Sequence, residues 1–280
     1  MSNLLNATVE IHKANKQSII LRVYPDSPIR KYLPGQYGSL GLISDKDEKL
    51  VKRAYSISSS MIDLESKKVI SQDENKYLEF YINQIPIKEV KREQITPKIF
   101  KLKNGDRIFC GEKIIGHYTL PQNTDFDNIL LISSHTGESP NNSIMNHLLL
   151  TKRRINICNI NVGNNWRSIY EKEHSLIEKR FLNYKFIQFL DNSNNYTNFT
   201  RYIDNIFNNS FKGIIELGFE IKKNTLIMLC GDPIMIGAPI KKGGWEYEYP
   251  DYGLVNIFTK RLFELTTRFK QGNIIYESYW

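Results

Sequence analysis

A chain of 280 residues that is 41% hydrophobic and 12% aromatic has enough apolar matter for a packed core, which argues against wholesale disorder. Its net charge of +8 and pI near 9.2 favour acidic or phosphorylated partners, but the Lys and Arg residues are scattered and form no basic tail, so nucleic acid is not an expected partner. Three widely spaced cysteines, Cys110, Cys158 and Cys230, argue against a metal site or a disulfide framework, and no apolar run approaches the ~20 residues of a membrane helix.

The first part of the chain reads as β. ATVEIHKA (7–14) and SIILRVY (18–24) are short strand-like runs. QYGSLGLI (36–43) follows the turn signal Pro34-Gly35, and RAYSISSS (53–60) reads as a further strand. YLEFYIN (77–83) alternates, with Leu78, Phe80 and Ile82 on one face and Tyr77, Glu79, Tyr81 and Asn83 on the other. RIFCG (107–111) closes the series. Short strands between Gly, Pro and Asp turns point to a barrel or sandwich.

After GHYTLPQNTDFDN (116–128) the pattern changes. NILLIS (128–133), INICNI (155–160), YKFIQFL (184–190) and LIMLCG (226–231) are apolar runs. Between them lie NNSIMNHLLL (141–150), which reads as a helix, and a charged amphipathic stretch at 167–182 carrying Ile169, Leu176 and Ile177. LVNIFTKRLFELTTRFK (254–270) places Leu254, Ile257, Phe258, Leu262, Leu265 and Phe269 at the spacing of a core-facing helix. Buried strands alternating with helices imply a parallel sheet. The reading is therefore two domains: an antiparallel β-barrel over 1–122, then an α/β parallel-sheet nucleotide-binding domain over 123–280. With no apolar N-terminal signal core, a cytoplasmic protein without membrane insertion is expected.

The stretch RAYS (53–56) carries the strongest chemistry. On a strand, Arg53 and Tyr55 share a face. An Arg beside a Tyr ring holds a phosphate while the ring covers a flat heterocycle, and the Ser56 hydroxyl can bond a ring nitrogen. The plain alternative is a barrel strand with an exposed Arg and a half-buried Tyr.

RAYS resembles the RxYS flavin motif of the ferredoxin–NADP⁺ reductase family. PGQYGSLGLI (34–43), YLEFYIN (77–83), ITPKIFKLKNGDRI (95–108), LISSHTGESP (131–140), LCGDPIMIGAP (229–239) and the terminal YESYW resemble further segments of that family, in its order. The resemblance implies an FAD-binding barrel and an NADP-binding α/β domain. It assigns Arg53 to flavin phosphate, Tyr55 to the isoalloxazine and Ser56 to its N5. Tyr81, Ile82 and Asn83 would line the flavin or its ribityl chain, and Ile95 and Thr96 would sit at the pyrophosphate. Trp280 would cover the flavin, with Tyr279 as support. On the nicotinamide side it implies Thr136, Gly137, Arg167, Gly231 and Asp232. Cys230 would lie next to hydride transfer, and Glu277 would relay protons.

Two places depart from the family pattern. His135-Thr136-Gly137 stands where the family has Gly-Thr-Gly, and His tolerates a left-handed backbone better than a branched residue does. The 2′-phosphate of NADP calls for Arg. Arg167 is one candidate, whereas FLDNSNN (189–195) offers only Asp191 and Asn residues. The expected cofactors are thus FAD and NADP(H), with NAD(H) left open. The expected partner is an acidic one-electron carrier, ferredoxin or flavodoxin, facing Lys49, Lys52, Lys88, Lys91, Arg92, Lys98, Lys101 and Lys103. Two rival readings stand beside this one: an FAD electron-transfer module with lost nicotinamide binding, and a non-enzymatic basic binding protein on a decayed reductase fold.

Overall fold

The computed structural model describes residues 4–58, 62–71, 75–84, 94–122, 126–151, 154–164, 167–243, 246–250, 252–261, 263–268 and 270–279. The barrel consists of β1 (Ala7–Ala14), β2 (Ser18–Pro25), β3 (Tyr37–Ile43), β4 (Leu50–Ser58), β5 (Leu78–Asn83) and β6 (Arg107–Cys110), with the short helix α1 (Thr96–Ile99) before β6. The order is β1-β2-β5-β4-β3-β6, and β6 pairs with both β3 and β1, which closes the ring. Alternation fills its interior: Val9, Ile19, Leu21, Leu40, Ile57, Phe80 and Ile108 pack into one core. The outward face of β5 is buried as well, including Glu79 and Tyr81, because the second half of the chain covers it.

The second half contains β7 (Asn128–Ser134), α2 (Glu138–Thr151), β8 (Asn156–Gly163), α3 (Glu171–Arg180), β9 (Tyr184–Leu190), α4 (Thr197–Phe207), α5 (Ser210–Leu217), β10 (Thr225–Gly231), α6 (Pro233–Ile236), β11 (Ile240–Gly243), β12 (Glu246–Glu248), α7 (Leu254–Thr259) and β13 (Ile274–Ser278). Five of these strands form a parallel sheet in the order β13-β10-β7-β8-β9. Every residue of β7 and β10 is buried, as expected of strands covered on both faces. Ile129 and Leu131 pack with Ile144, Met145 and Leu148 of α2 on one side. Leu130 and Ile132 pack with Phe199, Ile203, Met235 and Ile257 on the other. No described helix is long and apolar enough to cross a membrane.

The long helix expected over 254–270 is only α7. Among the described positions, Leu254, Ile257 and Phe258 stay in the core and Leu265 packs against it without helical continuation, and Phe258 and Phe263 meet Phe207 edge-on, with centroids 5.3 and 5.9 Å away. α7 ends at Thr259, and two threonines further on shape the return. Thr266 Oγ1 donates to Gly272 O at 3.0 Å, and the Lys270 amide donates to Thr267 Oγ1 at 3.1 Å. Such local hydroxyl bonds compete with a helix and here hold a return toward β13. Leu262 and Phe269 lie outside the described residues. The segment KKGGWEYEYPDYG contributes the β11–β12 hairpin, whose Trp245 also lies outside them.

Polar contacts join the two halves. The Tyr170 hydroxyl donates to Glu79 Oε1 at 2.9 Å and lies 3.0 Å from Ser58 Oγ. Arg22 Nε holds the other Glu79 oxygen at 3.1 Å, and Lys13 pairs with Glu173. Glu79 and Glu173 are almost fully buried, so these partners offset the cost of removing charge from water. Tyr170→Phe leaves one Glu79 oxygen without its tyrosine donor. It is expected to lower stability by about 1–3 kcal/mol, read by urea denaturation; an unchanged midpoint contradicts this.

Candidate functional site

β4 runs from solvent into the joint between the halves, which sets the exposure of its side chains. Arg53 is exposed, and its guanidinium donates to Lys52 O at 2.8 Å. Tyr55 is partly buried, and its hydroxyl lies 3.2 Å from Thr96 Oγ1 at the start of α1. Burial pushes the Tyr55 phenol above its ordinary value. Ser56 reaches across the joint, with Oγ 2.7 Å from the Tyr279 hydroxyl. The neighbouring Ser139 hydroxyl, on α2, donates to Ser56 O at 2.9 Å.

Tyr279 is held by backbone as well, because its amide donates to Gly231 O at 2.8 Å. β10 and β13 pair in register, which sets Cys230 opposite Glu277. Burial, joined by the Glu277 charge, pushes the Cys230 thiol well up, so it stays a thiol at neutral pH. Burial also pushes the Glu277 carboxyl up to about 7, and its Oε2 is buried with no hydrogen-bond partner among the described residues. A cleft of about 1470 Å³ opens beside it, lined by Gln36, Tyr37, His117, Tyr118, Arg268 and Glu277 among others. The Tyr118 hydroxyl donates to Asn141 Oδ1 at 2.7 Å, and Asn141 Nδ2 is another buried polar atom with no partner among the described residues.

Tight backbone packing explains the glycines at the sheet end. A Cβ on Gly137 would stand 2.2 Å from Cys230 O. Gly231 has a φ of 130°, and a Cβ there would stand 2.3 Å from Ser134 Oγ. His135 has a φ of 51°, the left-handed backbone expected of the turn. Burial holds its imidazole below the ordinary pKa, against the opposing pull of Asp232. Asp232 caps α6, accepting from the Ile234 amide at 2.8 Å. Glu138, in the first turn of α2, points inward with His174 Nε2 2.7 Å away. The positive end of α2 therefore already carries a carboxylate of the chain itself.

The structure thus brings Ser56, Cys230 and Glu277 together through Tyr279, and Tyr55 together with Thr96. Thr136, Gly137, Gly231 and Asp232 converge at the ends of β7 and β10. Other expected residues are placed differently. Ile82 and Ile95 point into the barrel core, which leaves only their main-chain atoms for a ligand. Tyr81 meets Tyr170 edge-on, and Asn83 accepts from the Ser18 hydroxyl. Arg167 is paired with Glu171. Trp280, Lys88, Lys91 and Arg92 lie outside the described residues.

Sequence reasoning passed over Tyr118, Tyr196 and Arg201. Tyr118 sits in GHYTLPQNTDFDN, where the sequence pattern changes and no site residue was expected. Arg201 lies on α4, one turn beyond the loop where an Arg was sought, and lines a cleft of about 810 Å³ with Thr197, Thr200 and Tyr249. The amphipathic spacing of TNFTRYIDNIF was the available signal for the helix that carries it.

No family model matches the chain. It is 25% identical over 300 residues to the flavodoxin/ferredoxin–NADP reductase of Buchnera aphidicola subsp. Schizaphis graminum, covering 100% of both chains. The protein of the same name from subsp. Baizongia pistaciae is 26% identical over 245 residues, covering 82% of this chain and 86% of that one. Among solved structures, a ferredoxin NADP⁺ reductase from Neisseria gonorrhoeae with bound FAD and NADP matches with a TM-score of 0.67 at 17% identity, covering 98% and 97% of the two chains. The chain is thus similar over its whole length to a flavodoxin/ferredoxin–NADP reductase and has the two-domain fold of the ferredoxin–NADP⁺ reductases.

Proposed function

We propose that the chain is an FAD-dependent oxidoreductase that moves electrons between NADPH and a one-electron carrier, ferredoxin or flavodoxin. The observation that carries this reading is the 2.7 Å contact between Ser56 and Tyr279, which joins the barrel to the end of the sheet. A flavin ring needs such a joint: aromatic faces, a hydroxyl at its edge and an opening for substrate. The residues present fit it. Tyr55 and Tyr279 supply rings, Arg53 an exposed guanidinium, and Glu277, whose Oε2 has no partner among the described residues, lines a cleft large enough for a ring system. When bound, the flavin supplies what side chains cannot: it takes up a hydride and releases the two electrons singly.

The chain's own groups do the rest. Arg53 and Thr96 take the flavin phosphates, Tyr55 supports the ring, and Ser56 bonds its edge. Trp280 covers the cofactor beside Tyr279. Thr136, Gly137, Gly231 and Asp232 receive the nicotinamide nucleotide, with Cys230 packed beside the reacting centre. Arg201 is the cation placed for a 2′-phosphate, in preference to Arg167. Glu277, reached from Ser56 through Tyr279 and Cys230, exchanges protons with the cleft. We place the domain division at 122/123. Exposed Lys49, Lys52, Lys101 and Lys103 suit an acidic carrier, because opposite fields speed encounter.

One observation favours a second reading, in which the flavin is kept and the nucleotide is not. The Tyr196 hydroxyl spans His135 and Asp232 across the sheet end where a nucleotide would lie. Anaerobic mixing of the FAD-loaded protein with NADPH and with NADH decides between them. Rapid bleaching of the flavin absorbance is expected with NADPH. Bleaching by neither nucleotide rejects the reductase reading and leaves the flavin module.

A further inference from the structure

We infer that Tyr196 is a latch that sets nucleotide affinity: its hydroxyl holds the crevice at the ends of β7 and β10 closed, and it must yield before a nicotinamide nucleotide can lie there. The inference rests on the nucleotide-binding reading above.

The sheet order locates the crevice. From β7 the chain adds β8 and β9 on one side, then returns to add β10 and β13 on the other. The switch point therefore lies between β7 and β10, and open α/β sheets take ligands outside the carboxyl ends of the strands at that point. β7 runs into His135 and β10 runs into Asp232. Tyr196 arrives from the turn after β9, two strands away from β7. Its hydroxyl donates to Asp232 Oδ2 at 3.1 Å and lies 3.4 Å from His135 Nε2. The side chain is 7% exposed, so it closes the crevice rather than lying over it.

The anchor and the moving part are separable. Asp232 is fixed independently of Tyr196: its Oδ1 accepts from the Ile234 amide, and its own amide donates to Ser134 Oγ at 2.8 Å. The far side is fixed too, because Asp191 Oδ2 accepts from the Phe199 amide at 2.7 Å and holds the start of α4. Between these points Asn195 and Tyr196 have φ values of 55° and 57°. Two successive non-glycine residues in the left-handed region are strained, and such strain persists only where surrounding contacts impose it. The hydroxyl bond to Asp232 is such a contact. A ligand that must break it binds with an apparent affinity reduced by the closed fraction.

The rival role for Tyr196 is a fixed wall on which the nucleotide rests. Two variants separate the roles. Tyr196→Phe keeps the ring and loses the latch bond. Tyr196→Asn also removes the ring, with a residue suited to positive φ. NADP⁺ and NAD⁺ are titrated into FAD-loaded wild type and variants, followed by calorimetry, and steady-state kinetics with NADPH are run in parallel. The expected result is a Kd for NADP⁺ lower by roughly five- to tenfold in Tyr196→Phe. KM should fall alongside it, with kcat and FAD content unchanged, and Tyr196→Asn should also bind more tightly than wild type. A Kd in Tyr196→Phe equal to or weaker than that of wild type overturns the latch alone. No nucleotide binding by any of the three proteins overturns the nucleotide reading and the latch with it.

Discussion

Replacing Glu277 with Gln lowers kcat roughly a hundredfold, the scale of a lost general acid–base group, and flattens its dependence on pH. The carboxyl faces a cleft of about 1470 Å³ and stands opposite Cys230, whose neighbour Tyr279 touches Ser56. Burial pushes the carboxyl up to about 7, where it can both give and accept a proton near neutral pH. The same shift affects stability. The folded-state value lies above the ordinary 4.5, so the folded state holds the proton more tightly than the unfolded chain. That contribution is full below 4.5 and is lost as pH rises through about 7. The loss is at most about 3 kcal/mol. Gln carries no such charge, so the wild-type melting temperature should fall relative to Glu277→Gln between pH 5 and pH 8. An unchanged kcat refutes the proton role, and parallel melting profiles refute the shift.

Much of this architecture is legible in the sequence because periodicity reports burial. NILLIS and LIMLCG read as buried parallel strands and are β7 and β10. SIILRVY and YLEFYIN read as barrel strands and are β2 and β5. What escapes is what periodicity does not encode. Alternation puts Glu79 on the second, outward face of β5 but does not reveal its burial there, which Tyr170 and Arg22 make tolerable from elsewhere in the chain. The 254–270 run has helical spacing, but the helix ends at Thr259, and beyond it the Thr266 and Thr267 hydroxyls bond the local backbone of a return. The site divides in the same way. The RAYS residues are read from one strand, whereas the contact of Ser56 with Tyr279 spans 223 positions and becomes visible only when the two halves meet. Ile82 and Ile95 belong to segments that resemble flavin contacts, but their side chains alternate into the core. Tyr196 gave no signal because its role depends on the order of the strands.

The Tyr279 ring is expected to hold this joint together, and Tyr279→Ala tests that. The ring packs against the core cluster that contains Tyr118, Ile144 and Cys230, and its hydroxyl is enclosed with Ser56. Removing it loses packing on the scale of an aromatic-to-Ala change, roughly 3–5 kcal/mol, and leaves Ser56 without this partner. The main-chain ties remain, since the Tyr279 amide bond to Gly231 O and the β10–β13 pairing do not involve the side chain. A loss of stability is therefore assignable to the ring rather than to fraying of the strand. Tyr279→Phe separates the parts: it keeps the ring and gives up only the hydroxyl bond, at about 1 kcal/mol. Urea denaturation orders the three proteins, and gel filtration measures the FAD each retains. Tyr279→Ala should lose most of its flavin and Tyr279→Phe should keep it. Full retention with an unchanged urea midpoint in Tyr279→Ala would show that the ring neither covers the cofactor nor supports the joint.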